Sequence, residues 1–222
     1  MKPMLFNTEM VMAVKDGRKT ATRRIIKPQP KSKLAYVSAG HGHGKWHYPS
    51  EDAWKYWDDE LFKHSENLTE EDLKQFWTPP AQPGDILYVR ETWSRLPLSC
   101  DKYIHVYRAD YAPSFKSSMF KWHPSIHMPK EAARLFLRAT SVRAERLQDI
   151  TSEQIDAEGC KEYGYNAKTG ELMPSSPTFF KISWDNTVKK SDLDRYGWNA
   201  NPWVWVIEFE RISKEEALKN GI

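Results

Sequence analysis

Cysteine is almost absent: Cys100 and Cys160 are the only two, too few and too far apart for a disulfide framework or a Cys-x-x-Cys metal knuckle. A reducing, cytoplasmic setting is expected. No apolar run approaches the ~18 residues that cross a bilayer, and Asn7, Thr8 and Glu9 interrupt the amino-terminal stretch before the core of a signal peptide forms. Neither classical secretion nor a membrane span is predicted. There is no Gly-rich phosphate loop, no alternating βαβ rhythm and no internal repeat, which argues against a Rossmann-like cofactor enzyme.

What is present suits a packed domain. The 222 residues include 10 Trp, 10 Tyr and 9 Phe, with 40% hydrophobic and 28% charged residues, so disorder of the whole chain is excluded and one decorated domain over 1–222 is the simplest expectation. The net charge of +3 is mild, but its distribution is not. Gly17 to Pro30 carries five basic residues (Arg18, Lys19, Arg23, Arg24, Lys27) and no acid, whereas Glu51 to Asp72 sets nine acids against Lys55 and Lys63. Charge runs of this kind are usually solvated faces; here, threonines and isoleucines interleave the basic one.

Met10, Val11, Ala13 and Val14 recur at helical spacing after Thr8, which predicts a short helix over 8–16 with Thr8 as N-cap and Gly17 as its stop. Lys19 to Ile26 reads as a strand closing before Pro28 and Pro30. A surface insertion is expected at about 28–82, bounded by prolines and holding a Gly/His patch from Gly40 to His47 and an acidic helical stretch from Thr69. Gly84-Asp85 turns into a strand over 86–93, followed by strands over 102–108 and 134–147. Thr151 and Gln154 form a capping-box pattern that opens a helix of about two turns, which Gly159 ends. The clearest strand follows, where Trp203, Trp205, Ile207 and Phe209 alternate with Val204, Val206, Glu208 and Glu210, and Ser213 with Glu216 caps a small terminal helix. The expected class is α+β, built around a small mixed or closed sheet.

His41, His43 and His47 have a spacing that zinc or nickel accepts, but no carboxylate or thiolate accompanies them, so no metal site is expected. His123 and His127 are separated by Pro124 and followed by Pro129, which shapes a loop rather than a helix carrying both. The most chemically loaded stretch is Gly17-Arg18-Lys19-Thr20-Ala21-Thr22-Arg23-Arg24. It gathers several cationic donors suited to an anionic or polar ligand, and Thr22 becomes a nucleophile if a base reaches it. Lys19 and Thr22 would face opposite ways in a regular strand, so they cooperate only if Lys19 still lies in the turn after Gly17 or a bulge re-aims it. Glu158 falls in the last turn of its helix, where the macrodipole disfavours an ionised carboxylate; buried beside a cation it could exchange protons.

On these residues the sequence resembles the ASCH domains, small β-barrels of the PUA-like superfamily. The resemblance rests on the Gly-Arg-Lys-Thr-Ala-Thr stretch from Gly17, on Pro83-Gly84-Asp85 leading to Arg90-Glu91-Thr92-Trp93, and on the closing strand from Trp203 to Phe209. Pro124 to Pro129 and Ala157-Glu158-Gly159 align it with the larger, phage-associated branch. The resemblance implies a PUA-like barrel with short flanking helices and a cleft for RNA or a modified nucleobase. Some small bacterial relatives remove the acetyl group from N4-acetylcytidine with a lysine, a threonine three residues later and a glutamate. Lys19, Thr22 and Glu158 match those three, which implies an amidohydrolase of N4-acylated cytidine or a related nucleoside, requiring no metal or organic cofactor. Arg18, Thr20, Arg24, Arg90 and Trp93 are the implied substrate-binding residues; Arg23, the insertion and the Ile126 to Pro129 loop depart from the small enzymes. The rival expectation is an RNA-binding module or ribonuclease that uses the same basic cleft, with Trp93 stacking on bases. A third is a phage accessory protein that binds a protein partner through the acidic insertion.

Overall fold

The computed structural model describes residues 1–29, 33–37, 45–47, 62–64, 78–99, 102–112, 114–115, 120–160, 164–165, 172–173 and 177–220. In chain order the strands are β1 (Lys2–Leu5), β2 (Ala21–Ile25), β3 (Lys33–Val37), β4 (Lys45–His47), β5 (Phe62–His64), β6 (Ile86–Arg90), β7 (Trp93–Ser99), β8 (Lys102–Tyr107), β9 (Phe136–Arg146), β10 (Gly164–Tyr165), β11 (Leu172–Met173) and β12 (Trp203–Ile212). The helices are α1 (Thr8–Lys15), α2 (Ser152–Ala157), α3 (Pro177–Thr187), α4 (Leu193–Tyr196) and α5 (Lys214–Asn220). The class is α+β, as expected. Among the described residues no helix is long and apolar enough to cross a membrane.

Five strands form the main sheet, in the order β1-β6-β9-β12-β2. β1 runs parallel to β6, and the other three pairings are antiparallel. The alternation read from the sequence sorts β12 onto two cores. Trp205, Ile207 and Phe209 join Phe6, Val11, Val14, Leu87, Leu137 and Ala139 on the side where α1 packs. Val204 and Val206 join Leu147, Ile155, Phe180 and Trp184 on the other, beneath α2 and α3. A central strand covered on both faces can be apolar at every position, as Trp203 to Ile207 is. A third cluster, with Trp93, Met128, Phe136 and Ala217, underlies α5.

The sheet does not close into a barrel among the described residues. β1 and β2 are its two ends, and no backbone ladder joins them. A side chain bridges them instead, as Arg24 Nη2 on β2 donates to the Leu5 carbonyl of β1 at 2.7 Å. Between β2 and β6, where the insertion was expected, β3, β4 and β5 form a separate three-stranded antiparallel sheet. His41, His43 and most of the acidic run from Glu51 to Asp72 lie outside the described residues.

One cap is corrected, the strand read over 86–93 divides into β6 and β7, and other elements were not anticipated. The N-cap of α1 is Asn7 rather than Thr8, because the Asn7 side chain accepts the Met10 amide at 2.8 Å. β1 was not anticipated; with Pro3 in it, it survives as an edge strand, where a missing amide costs no ladder bond. Nor was α3, whose hold on the sheet reduces to Phe180 and Trp184, four residues apart.

Candidate active site

The site is assembled from two distant turns. After α1, Gly17 takes a left-handed conformation (φ 74°), and the amides of Arg18 and Lys19 both donate to the Ala13 carbonyl. Lys19 therefore lies in the turn, ahead of β2, which meets the condition set by strand geometry. It forms an isolated bridge with Glu158, flanked by the Thr20 amide donating to Ala157 at 2.8 Å.

Glu158 arrives at the same point through α2. The Thr151 to Gln154 capping box forms as read, and Gly159 ends the helix with φ 76°. The glycine is required twice over. Its conformation disfavours a side chain, and a Cβ there would lie 2.8 Å from both the Ala13 and Lys19 Cβ atoms. This close approach seats Glu158 against Lys19.

The Lys19 side chain is fully enclosed (0% exposed) and Glu158 nearly so (6%). Lys19 Nζ donates to Glu158 Oε2 at 2.7 Å, to the Glu158 carbonyl at 2.9 Å and to the Ala21 carbonyl at 2.8 Å. All three ammonium donors are thereby engaged, and the negative end of α2 is offset by a buried cation. Arg23 Nη1 donates to the second carboxylate oxygen at 3.2 Å. Arg23 is itself held by Glu145, from Nε at 3.1 Å, and by the Gln154 side chain at 2.9 Å. Beyond Glu145, Arg143 pairs onward with Glu208. Lys19, Glu158, Arg23, Glu145, Arg143 and Glu208 thus alternate in sign from the interior to the surface. The basic run is not a solvated face; much of it turns inward onto carboxylates.

A cavity of about 370 Å³ opens beside this chain of charges. Thr22, Arg24, Glu158, Arg18 and Gly159 line it together with Phe179, Phe180 and Trp184 of α3. Thr22 and Arg24, two apart on β2, share one face of the strand, with Ile207 and Trp205 as their partners on β12. Burial pushes the Arg24 guanidinium below its ordinary value, and the nearby Glu158 carboxylate pulls it the other way.

The expected site residues separate into two groups. Lys19, Glu158, Thr22, Arg18 and Arg24 gather at or just behind the cavity wall. Lys19 makes no hydrogen bond to Thr22, since its donors are directed at Glu158 and Ala21. Thr20, Arg90 and Trp93 do not line the cavity. Arg90 donates to the Ile126 carbonyl. Trp93 is 5% exposed, enclosed between the rings of His105 and His123 at 5.5 and 5.3 Å, so its faces are closed to a stacking base. Arg23, read as a departure, and the aromatic face of α3 are the parts not anticipated. The pair Phe180 and Trp184 was their sequence signal. Among the described residues no group of three His, Cys, Asp or Glu side chains is placed to hold a metal ion.

No protein-family model, curated protein or solved structure matches this chain.

Proposed function

We propose that the chain is an ASCH-type protein of the PUA-like superfamily, and an amidohydrolase that removes the acyl group from an N4-acylated cytidine or a closely related nucleoside. The observation that carries this reading is the meeting of Lys19 and Glu158 at 2.7 Å, from positions 139 residues apart, behind a cavity wall that includes Thr22. A buried ion pair is costly to assemble and is weak support for stability alone. Placed against a nucleophile-bearing wall, it serves chemistry.

The Lys19 amine holds no free lone pair while it donates three hydrogen bonds, so the pair must act as a unit. A proton passes from Nζ to Glu158 Oε2, leaving a neutral amine. That amine lets go of the Ala21 carbonyl, turns to Thr22 and accepts its hydroxyl proton as Oγ1 attacks the exocyclic amide carbonyl. Collapse breaks the C–N bond, and the departing amine takes the proton from Glu158. Water then attacks the acyl-threonine, giving one proton to Glu158 and keeping the other in the acid, while Lys19 returns to Thr22 Oγ1 the proton it took from it. The ion pair re-forms on release of the acid. Arg23 keeps the Glu158 carboxylate aligned throughout.

The rival nucleic-acid groove is disfavoured by the self-neutralisation of the basic run: Arg23 is committed to Glu145 and Glu158, and Lys19 to Glu158. The test is turnover of N4-acetylcytidine by purified protein, beside a Thr22→Ala control and a labelled RNA. Release of cytidine that vanishes in the control is expected; no release, with RNA bound or cut, would move the function to the rival.

A further inference from the structure

Most of the charges around the cavity are matched. Lys19 and Arg23 are neutralised by Glu158 and Glu145, and Arg18 Nη2 meets Asp16 at 3.0 Å. Arg24 is the exception: among the described residues it forms no ion pair. Only its Nη2 is engaged, by the Leu5 carbonyl at 2.7 Å and the Met4 sulfur at 3.1 Å, while Nε and Nη1 find no acceptor among the described residues. A guanidinium carries five donors in a planar fork, and one that is half-buried on a cavity wall with no ion pair favours an anion beside it. Arg18, on the same cavity, has a buried Nε that also lacks a partner. Of the two acids that line the cavity, Glu9 is exposed, and Glu158, though near Arg24, has its oxygens held by Lys19 and Arg23.

We infer that Arg24, with Arg18, binds a phosphate group of the ligand, so that the substrate is a cytidine nucleotide rather than the nucleoside. This rests on the amidohydrolase reading for the base, but the phosphate contact stands on the two arginines alone. A mononucleotide is favoured over a polynucleotide because about 370 Å³ is the scale of a pocket that encloses one small ligand. Arg23 is not part of this contact, as its Nε, Nη1 and Nη2 are all committed to side chains of the protein.

Calorimetric titration with cytidine 5′-monophosphate, cytidine, inorganic phosphate and a short single-stranded RNA, at matched ionic strength, tests the inference on the full chain. The monophosphate is expected to bind at least about tenfold more tightly than cytidine, as one charge-assisted contact allows. Arg24→Gln is expected to bring that ratio to about one, and Arg24→Lys to keep part of it. Should Arg24→Gln fail to fold, Arg18→Gln supplies the second reading, with a reduced ratio expected. Equal binding of cytidine and its monophosphate overturns the inference, as does a preference that survives Arg24→Gln, and tighter Arg24-dependent binding of the RNA than of the monophosphate overturns the mononucleotide assignment. The two proposals fail separately. Arg24-dependent binding of inorganic phosphate without any amide hydrolysis leaves the phosphate site standing and removes the amidohydrolase, whereas hydrolysis without discrimination between nucleotide and nucleoside does the reverse.

Discussion

Glu158 and Glu91 are the buried carboxylates among the described residues, and they are held in opposite ways. Both Glu91 oxygens go to one residue, Arg134, at 2.8 and 3.0 Å. Arg134 lies 3.9 Å over the Tyr107 ring and reaches on to Asp110, which Lys15 at the end of α1 also grips. The arrangement is a clamp: a bidentate fork fixes geometry, and a guanidinium that never gives up its proton cannot do more. Glu158 instead divides its oxygens between an arginine on β2 and a lysine in the turn before it, beside a cavity. Of the two, only a lysine partner can pass a proton, so the same burial that makes one carboxylate a fastening suits the other to the proton transfer proposed for it.

That contrast can be broken first through turnover. Glu158→Gln is expected to lower hydrolysis by about 10²–10⁴-fold, the range for a lost acid–base group, while keeping an oxygen for Lys19; turnover within a few-fold of wild type would reduce Glu158 to a second clamp. Next comes stability. Arg134→Met strands the Glu91 carboxylate and Lys19→Met removes one of the two partners of Glu158, and each is expected to cost about 3–5 kcal/mol in urea denaturation. They should differ in function, however, with the folded Arg134 variant hydrolysing normally and the Lys19 variant not at all. Gly159→Ala, which drives a methyl into Ala13 and Lys19, is expected to cost about 1–3 kcal/mol and to depress turnover with it.

The smallest effect sharpens the comparison inside the clamp itself. Burial pushes Glu91 above its ordinary 4.5, outweighing Arg134, so protonation favours the folded chain and its contribution falls as pH rises from 4.5 through the raised value. Burial acts on Asp110 in the same sense, but the hydrogen bonds and charges of Arg134 and Lys15 outweigh it and hold Asp110 below 3.8. Its stabilisation is complete above 3.8 and is lost as pH falls through the lowered value. Asp110→Asn should therefore flatten the acid limb of stability below about pH 4, while Glu91→Gln should flatten the change above 4.5. Thermal unfolding across pH 3 to 6 separates them, and identical profiles would show that the clamp titrates as one group.

What could be read in advance was local. The Thr151 to Gln154 box, the stop at Gly159 and the two-faced burial of β12 follow from patterns a few residues long, and each formed where it was read. The neighbours of Lys19 were not legible in that way. Whether its amine met Thr22 or Glu158 depended on where the chain leaves the turn after Gly17, and Arg23 looked like surplus charge until Glu145, on a strand 122 residues away, came beside it. The aromatic part of the cavity lining escaped for another reason. In α3 only Phe180 and Trp184 are buried, so its amphipathic signal is two residues wide. The closed barrel failed at a single seam, between β1 and β2, which an arginine spans in place of backbone bonds.

The position of β12 sets a timetable for the molecule's birth. It is the last of the sheet's strands to leave the ribosome, yet it lies between β9 and β2 and carries the only backbone ladder among the described residues between the strand bearing Thr22 and the rest of the sheet. At about 5–20 residues per second of synthesis, β2 waits through the making of the 177 residues that separate Ile25 from Trp203 before it can pair. A nascent chain halted short of Trp203 would hold Lys19, Thr22 and Glu158 in one polypeptide without the strand that ties β2 into the sheet, so the candidate site would assemble only once β12 has been made.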